Sequence, residues 1–420
     1  MIYNTIALIS FVCILVADII IRINSFIGVS NGSTIVRLAL HCLAVIVFMK
    51  FAFGLHLKDK ISSNSWFVFM IFMAWNILSL FRGALNAHDY WDYKALTVHY
   101  LFSILMPLAI LLGIHFRYLH KTIRFILEKL FIFGIIFIPI GMTIDYELYS
   151  RVMMAVTVFL IFIPYLNLKW RVIIVVVAII SFSMDVSYRA NSIRIIFSTL
   201  LLLAYYFRHL IKPGMLNFIL IIFFCIPLLF LYLGIHGKFN IFQQNPFDYE
   251  YIKKVRQDYT RISNLSADTR TFLYYEVFHS MKNRGSSFII GEGGGSAYET
   301  FAFKEYTLNQ RGRYVSEVGF LNTLLYSGGV GIFLYCLMLF IPALYAINQS
   351  DNYLSKMLAI YLSFHWILFF VEDIPKMDMN FYFLWVVIGL CLSNEFRILS
   401  DDDIYEFLNR PDEQRIRITW

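Results

Sequence analysis

The chain has 420 residues, of which 59% are hydrophobic and only 15% charged, with a formal net charge of +7. Apolar residues in that proportion far exceed what one core can hide, which excludes a soluble globular domain. The positive charge does not build a nucleic-acid-binding face, because the basic residues fall in loops between apolar segments rather than on one free surface.

Taken from the N-terminus, about twelve apolar spans follow one another, near 4–22, 36–56, 66–82, 97–115, 125–142, 152–167, 171–186, 192–208, 216–235, 316–347, 354–371 and 379–394. In lipid each must be a helix, since only a helix satisfies its own backbone without water. The expected architecture is an all-α polytopic membrane protein: helices one to nine in 1–235, a large polar and partly helical loop at 236–315, helices ten to twelve in 316–394, and a polar tail at 395–420. The first span is too long for a removed signal peptide and lacks a small-residue cleavage site. With both termini in the cytoplasm, the short inner loops carry roughly twice the Lys and Arg of the short outer ones, which sets the orientation. The tail is then a solvated end or a short surface helix on the cytoplasmic side.

The five cysteines all fall within apolar spans, so no disulfide framework is expected. His41, His99 and His365 are single membrane-edge residues that read as packing or interfacial side chains. Asp18 lies near the outer end of the first span, where Arg37 is available as its partner.

Three outer elements concentrate unusual side chains. The first is HDYWDYK at 88–94, where rings beside carboxylates (Trp91 with Asp89) suit a sugar's apolar faces and hydroxyls. An interfacial aromatic belt explains the same rings without a ligand. The second is SYRANSIR at 187–194. Arg189 and Arg194 flank one tight turn there, and guanidinium groups bind phosphate bidentately; contact with lipid headgroups is the alternative.

The third is the 236–315 loop. Asp248 and Glu250 form its only closely spaced acidic pair, set among lysines with no histidine near, and no metal site is expected there. Ser266 can cap a helix over 266–281 with Asp268 and Arg270 in its first turn. That helix carries a broad apolar face able to lie on the membrane plane. GEGGGS at 291–296 is neither a dinucleotide nor a Walker motif, because no strand precedes it and no Lys-Ser/Thr follows. It reads either as a turn letting backbone approach a substrate or as a plain hinge. Arg311 and Arg313 then lead to Glu317, where the chain returns to the membrane ahead of Gly328, Gly329 and Gly331. An ionisable group costs about 2.5–3.5 kcal/mol at the bilayer centre and less at its edge, so Glu317 is a functional candidate. An acidic residue at a helix N-terminus also has a purely structural use against the macrodipole.

From residue 170 to 345 this order resembles the bacterial O-antigen repeat-unit polymerases of the Wzy type and the related O-antigen ligases. The residues that carry the resemblance are an outer Ser-x-Arg (Ser187, Arg189), a large loop with an Arg-led helix (Arg270), a G-x-G segment (Gly291, Gly293) and a re-entering helix with G-x-x-G (Gly328, Gly331). The ligases begin that last helix with His-Asn eleven residues before the first glycine. Counting back from Gly328 gives Glu317 instead, which favours a polymerase.

The resemblance implies a GT-C-like, metal- and cofactor-independent inverting glycosyltransferase of the bacterial inner membrane, with its site in the periplasm. It would join undecaprenyl-diphosphate-linked oligosaccharides, with membrane lipids and a chain-length regulator as further partners and no nucleic acid. Arg189 and Arg270 would neutralise the leaving diphosphate and Glu317 would accept the acceptor hydroxyl's proton. Arg194, Arg311, Arg313, Asp268, Asp89 and Trp91 are the substrate-contact candidates. The rival readings are an O-antigen ligase acting on lipid A-core and a polysaccharide transporter or flippase, whose mark would be charges deep in several helices.

Overall fold

The computed structural model of the chain describes residues 2–27, 32–54, 60–136, 138, 149, 152–184, 189–235, 250–256, 259–264, 271–300 and 312–409. Wherever they are described, the apolar spans are helical, as the demand for internal backbone hydrogen bonding requires. In chain order these are α1 (Ile2–Ile27), α2 (Gly32–Gly54), α3 (Ser63–Asn86), α4 (Tyr90–Ile114), α5 (120–136), α6 (Met153–Tyr165), α7 (Leu168–Met184), α8 (Arg189–Tyr206) and α9 (Pro213–Ile235). After the loop come α10 (Thr271–Asn283), α11 (Gly319–Asn348), α12 (Tyr353–Phe369), α13 (Met379–Leu392) and α14 (Asp401–Asn409). Among the described residues, six helices are long and apolar enough to cross a membrane, and shorter apolar helices accompany them. The chain is a helical, multi-pass membrane protein.

Helix α13 is apolar all round and buried along its whole length, which marks it as the centre of the bundle. It is packed by α4, α11 and α12. At its crossing with α4, a methyl group on Gly113 would come 2.1 Å from the Val386 carbonyl oxygen, so the two backbones touch. Toward the periphery, α7 and α9 turn Val172, Ile179, Phe218 and Ile221 outward, as a lipid-facing surface does.

Helix α4 starts at Asp89, whose carboxylate accepts the Asp92 N–H at 2.9 Å. Its ladder widens to a π turn at Leu96–Leu101 and tightens at Met106–Ala109, where Pro107 lacks a donor. The tail forms the short surface helix α14, which buries Ile404, Phe407 and Leu408.

The 236–315 loop is partly helical, as expected, and adds an antiparallel hairpin of β1 (Glu250–Arg256) and β2 (Tyr259–Asn264). Tyr, Ile, Val and Thr in these segments favour strand pairing. Helix α10 is described from Thr271 on, and Ser266, Asp268 and Arg270 lie outside the described residues. Leu273, Val277 and Met281 on one face of α10 are fully buried. The Tyr274 hydroxyl donates to the Phe370 carbonyl at 2.6 Å. The apolar face of α10 therefore docks on the bundle rather than lying on the membrane plane.

Candidate functional site

The glycine segment is neither hinge nor open turn: its backbone is wedged between α3 and α11. Helix α11 breaks at Gly328, whose φ of 66° lies in the left-handed region that glycine tolerates. The break frees helical carbonyls and N–H groups, and the loop satisfies them. Glu292 N–H donates to the Leu325 oxygen at 2.7 Å, and Gly293 N–H to the Tyr326 oxygen at 3.1 Å. In return Gly329 and Val330 donate to the oxygens of Phe288 and Ile289, at 2.8 and 3.1 Å.

On the α3 side, Gly294 N–H donates to the Ser79 oxygen at 2.8 Å, and Arg82 donates to the Ile290 oxygen at 2.6 Å. This exchange is how irregular backbone is tolerated beside apolar helices. A methyl group on Gly328 would sit 2.3 Å from the Ile289 oxygen. Gly328→Ala therefore meets both strain and a backbone clash. We expect a stability loss of at least about 1–3 kcal/mol, read as a lowered thermal midpoint in detergent.

Beside the wedge, at the end of the bundle where the loop packs, lies a cavity of about 300 Å³. Its walls come from the C-terminal part of α1, the N-terminal half of α2, the middle of α3 and of α4, the first half of α11, and residues 373–378 between α12 and α13. Asn322, on the first turn of α11, organises one wall. Its side-chain oxygen accepts the Ser316 N–H at 2.7 Å, and its amide donates to the Ser316 carbonyl at 3.0 Å and to Asp373 Oδ1 at 3.1 Å. Lys376 Nζ stands 3.4 Å from Asp373 and 3.6 Å from Asp378. Asp378 caps α13 through Phe381 N–H, and Asp18 accepts Met379 N–H at 2.9 Å. Burial pushes the Asp373 carboxyl upward, with Lys376 pulling the other way. Arg37 lines the same cavity within electrostatic reach of Asp18, consistent with the pairing the sequence suggested.

The candidates read from sequence distribute as follows. Glu317 lies ahead of α11 rather than in its first turn, because Ser316 and Val318 close a tight turn through the Ser316 hydroxyl. Its side chain is 51% accessible and stands 3.1 Å from Arg313, outside the cavity lining. Arg313 also bridges to Tyr298 through its backbone. Asp89 caps α4, as above. Trp91 is half-buried against Ala95, Ala297 and Tyr314, with the Lys94 ammonium 4.8 Å from its ring centroid. Tyr314 donates to Asp92 at 2.8 Å and so ties the start of α4 to the segment carrying Arg313 and Glu317.

Arg194 is fully buried and ion-paired with Glu372, so it supports the 372–378 segment from behind. Arg189 opens α8, and its side chain lies outside the described part of the structure; Arg270, Arg311 and Asp268 lie outside it as well. The structure thus gathers Asp89, Trp91, Arg313 and Glu317 on one connected edge and sets Arg194 apart.

Sequence reasoning passed over Glu372, Asp373 and Asp378. The available signal was VEDIPKMD at 371–378, three carboxylates in a short connection between apolar spans, the last standing as an N-cap before α13. No family model, curated protein or solved structure matches the chain.

Proposed function

We propose that the chain is an inverting, metal-independent glycosyltransferase that polymerises polyprenyl-diphosphate-linked oligosaccharide repeat units into O-antigen or a related surface polysaccharide. In this reading it crosses the inner membrane about twelve times, with 236–315 in the periplasm. The observation that supports it is the cavity beside the locked glycine segment, walled in part by the first half of α11 and carrying Asp18, Arg37, His41, Asn322, Asp373 and Lys376 among apolar side chains. Such a place holds a lipid-linked substrate at the boundary between lipid and water while rigid elements fix the reacting groups.

Glu317 accepts the proton of the acceptor hydroxyl, and Arg189 and Arg270 neutralise the diphosphate as it leaves. The anomeric carbon–oxygen bond to diphosphate breaks as the bond to the acceptor oxygen forms, inverting that centre.

A transporter is the second reading, favoured by Arg37 and His41 facing a cavity from within α2. Reconstitution separates the two: protein in nanodiscs given lipid-linked repeat units should lengthen glycan and release undecaprenyl diphosphate. No elongation by well-folded protein would remove the enzymatic reading. In the same assay Arg189→Lys and Arg270→Lys should each impair elongation, because lysine keeps the charge and loses the planar fork. Full elongation by both Arg→Ala variants would remove their assignment.

A further inference from the structure

His41 is the least satisfied polar side chain facing the cavity. It is 4% accessible, and neither ring nitrogen has a hydrogen-bond partner. A buried imidazole with no partner is costly, and polar groups so placed in a cavity are the ones a ligand completes. One turn earlier on α2, Arg37 also lines the cavity, and its Nε is buried without a partner. Asn322 of α11 and Asp373 of the connection before α13 line the same cavity.

The charge balance decides what class of ligand fits. Asp18, Asp373 and Asp378 face only Arg37 and Lys376 among the lining carboxylates and fixed cations, so a phosphate would meet no net positive field. A neutral, hydroxyl-rich molecule meets donors and acceptors among the lining side chains, and the rings of Phe72, Tyr100, Tyr326 and Phe381 line the same space, apolar surface of the kind that packs against sugar C–H groups. Among the described residues no three His, Cys, Asp or Glu side chains converge as cation ligands.

We propose that this cavity is a saccharide subsite in which His41 and Arg37 of α2 and Asp373 of the connection before α13 hydrogen-bond the hydroxyls of one sugar of the repeat unit, a role that rests on the glycosyltransferase reading.

His41→Phe tests it with a signature that a packing role does not produce. The phenyl ring keeps the tilted ring contact to Phe102, whose ring centroid lies 5.2 Å away, and removes two unsatisfied nitrogens. The free protein should therefore be at least as thermally stable as the native one. The binding probes are the repeat-unit oligosaccharide, released by mild acid from its polyprenyl carrier, and undecaprenyl diphosphate without sugar. Both are titrated into protein in nanodiscs.

Oligosaccharide affinity should fall at least about tenfold in His41→Phe and in Asp373→Asn, with undecaprenyl diphosphate binding unchanged. Native oligosaccharide affinity in both variants, or no oligosaccharide binding by the native protein, overturns the subsite. So does a loss confined to undecaprenyl diphosphate, which would make the cavity an anion site. If deletion of the gene shortens the polysaccharide while both variants bind and polymerise as native, only this subsite fails; if deletion leaves the polysaccharide unaltered, the glycosyltransferase reading itself fails.

Discussion

Glu317→Gln should collapse the polymer toward a single repeat unit while leaving the protein folded in the membrane. Loss of a general base costs about 10²–10⁴-fold in rate, and glutamine keeps the size of the side chain while removing the proton acceptor. Little stability is at stake. The pair with Arg313 is solvent-facing, at 3.1 Å with Glu317 half-accessible, and exposed pairs contribute about 0.2–1 kcal/mol. The structure also weakens the purely structural use of this carboxylate, because Glu317 stands ahead of α11 and makes no cap to it. Rate and stability should therefore separate cleanly, measured as glycan length in a reconstituted assay and thermal midpoint on the same preparation. A full-length product from Glu317→Gln would remove the base assignment, and Asp373, one of three carboxylates that line the cavity, would be the next to test.

Arg194→Ala should have the opposite profile, a folding defect first. Arg194 and Glu372 have side-chain accessibilities of 0% and 5%, and removing one partner takes the ion pair away from a charge that stays buried. Breaking such a pair costs about 3–5 kcal/mol. The damage should spread to the cavity, because the Glu372 carbonyl accepts Gly319 N–H at 2.7 Å and the next residue is Asp373. Replacing both partners by apolar residues of similar volume, Arg194→Met with Glu372→Leu, should recover most of the stability, since well-packed apolar pairs often match buried ion pairs. Folded protein yield and thermal midpoint check this. An Arg194→Ala protein of native stability that fails to polymerise would instead make Arg194 a substrate ligand.

The contrast between these residues shows what was legible beforehand. Apolar spans and their helicity could be read directly, because lipid leaves the backbone one solution and composition marks the segments. The unusual character of Glu317 and of GEGGGS was also legible, from a charge and a glycine run at a boundary. The partners were not. Nothing near Arg194 in the sequence announces Glu372, which lies 178 residues away, so half of a buried pair read as a substrate-phosphate or lipid-headgroup contact at a helix end.

The glycine run was recognisable as special, but its use depends on Gly83 and Gly328 meeting it from two other helices. His41 read as an ordinary packing residue because burial without a hydrogen-bond partner is a property of three-dimensional neighbours. The connection 371–378 was passed over for a different reason: its carboxylates act through Asn322, Lys376 and the start of α13, contacts no local pattern specifies.

Deletion of the gene, read on a lipopolysaccharide gel, tests the polymerase assignment most directly. The ladder should be lost with one repeat unit retained on the core, and it should be restored by the native gene and not by Glu317→Gln. Unsubstituted core would point to a ligase or flippase, and an unchanged ladder would contradict the account.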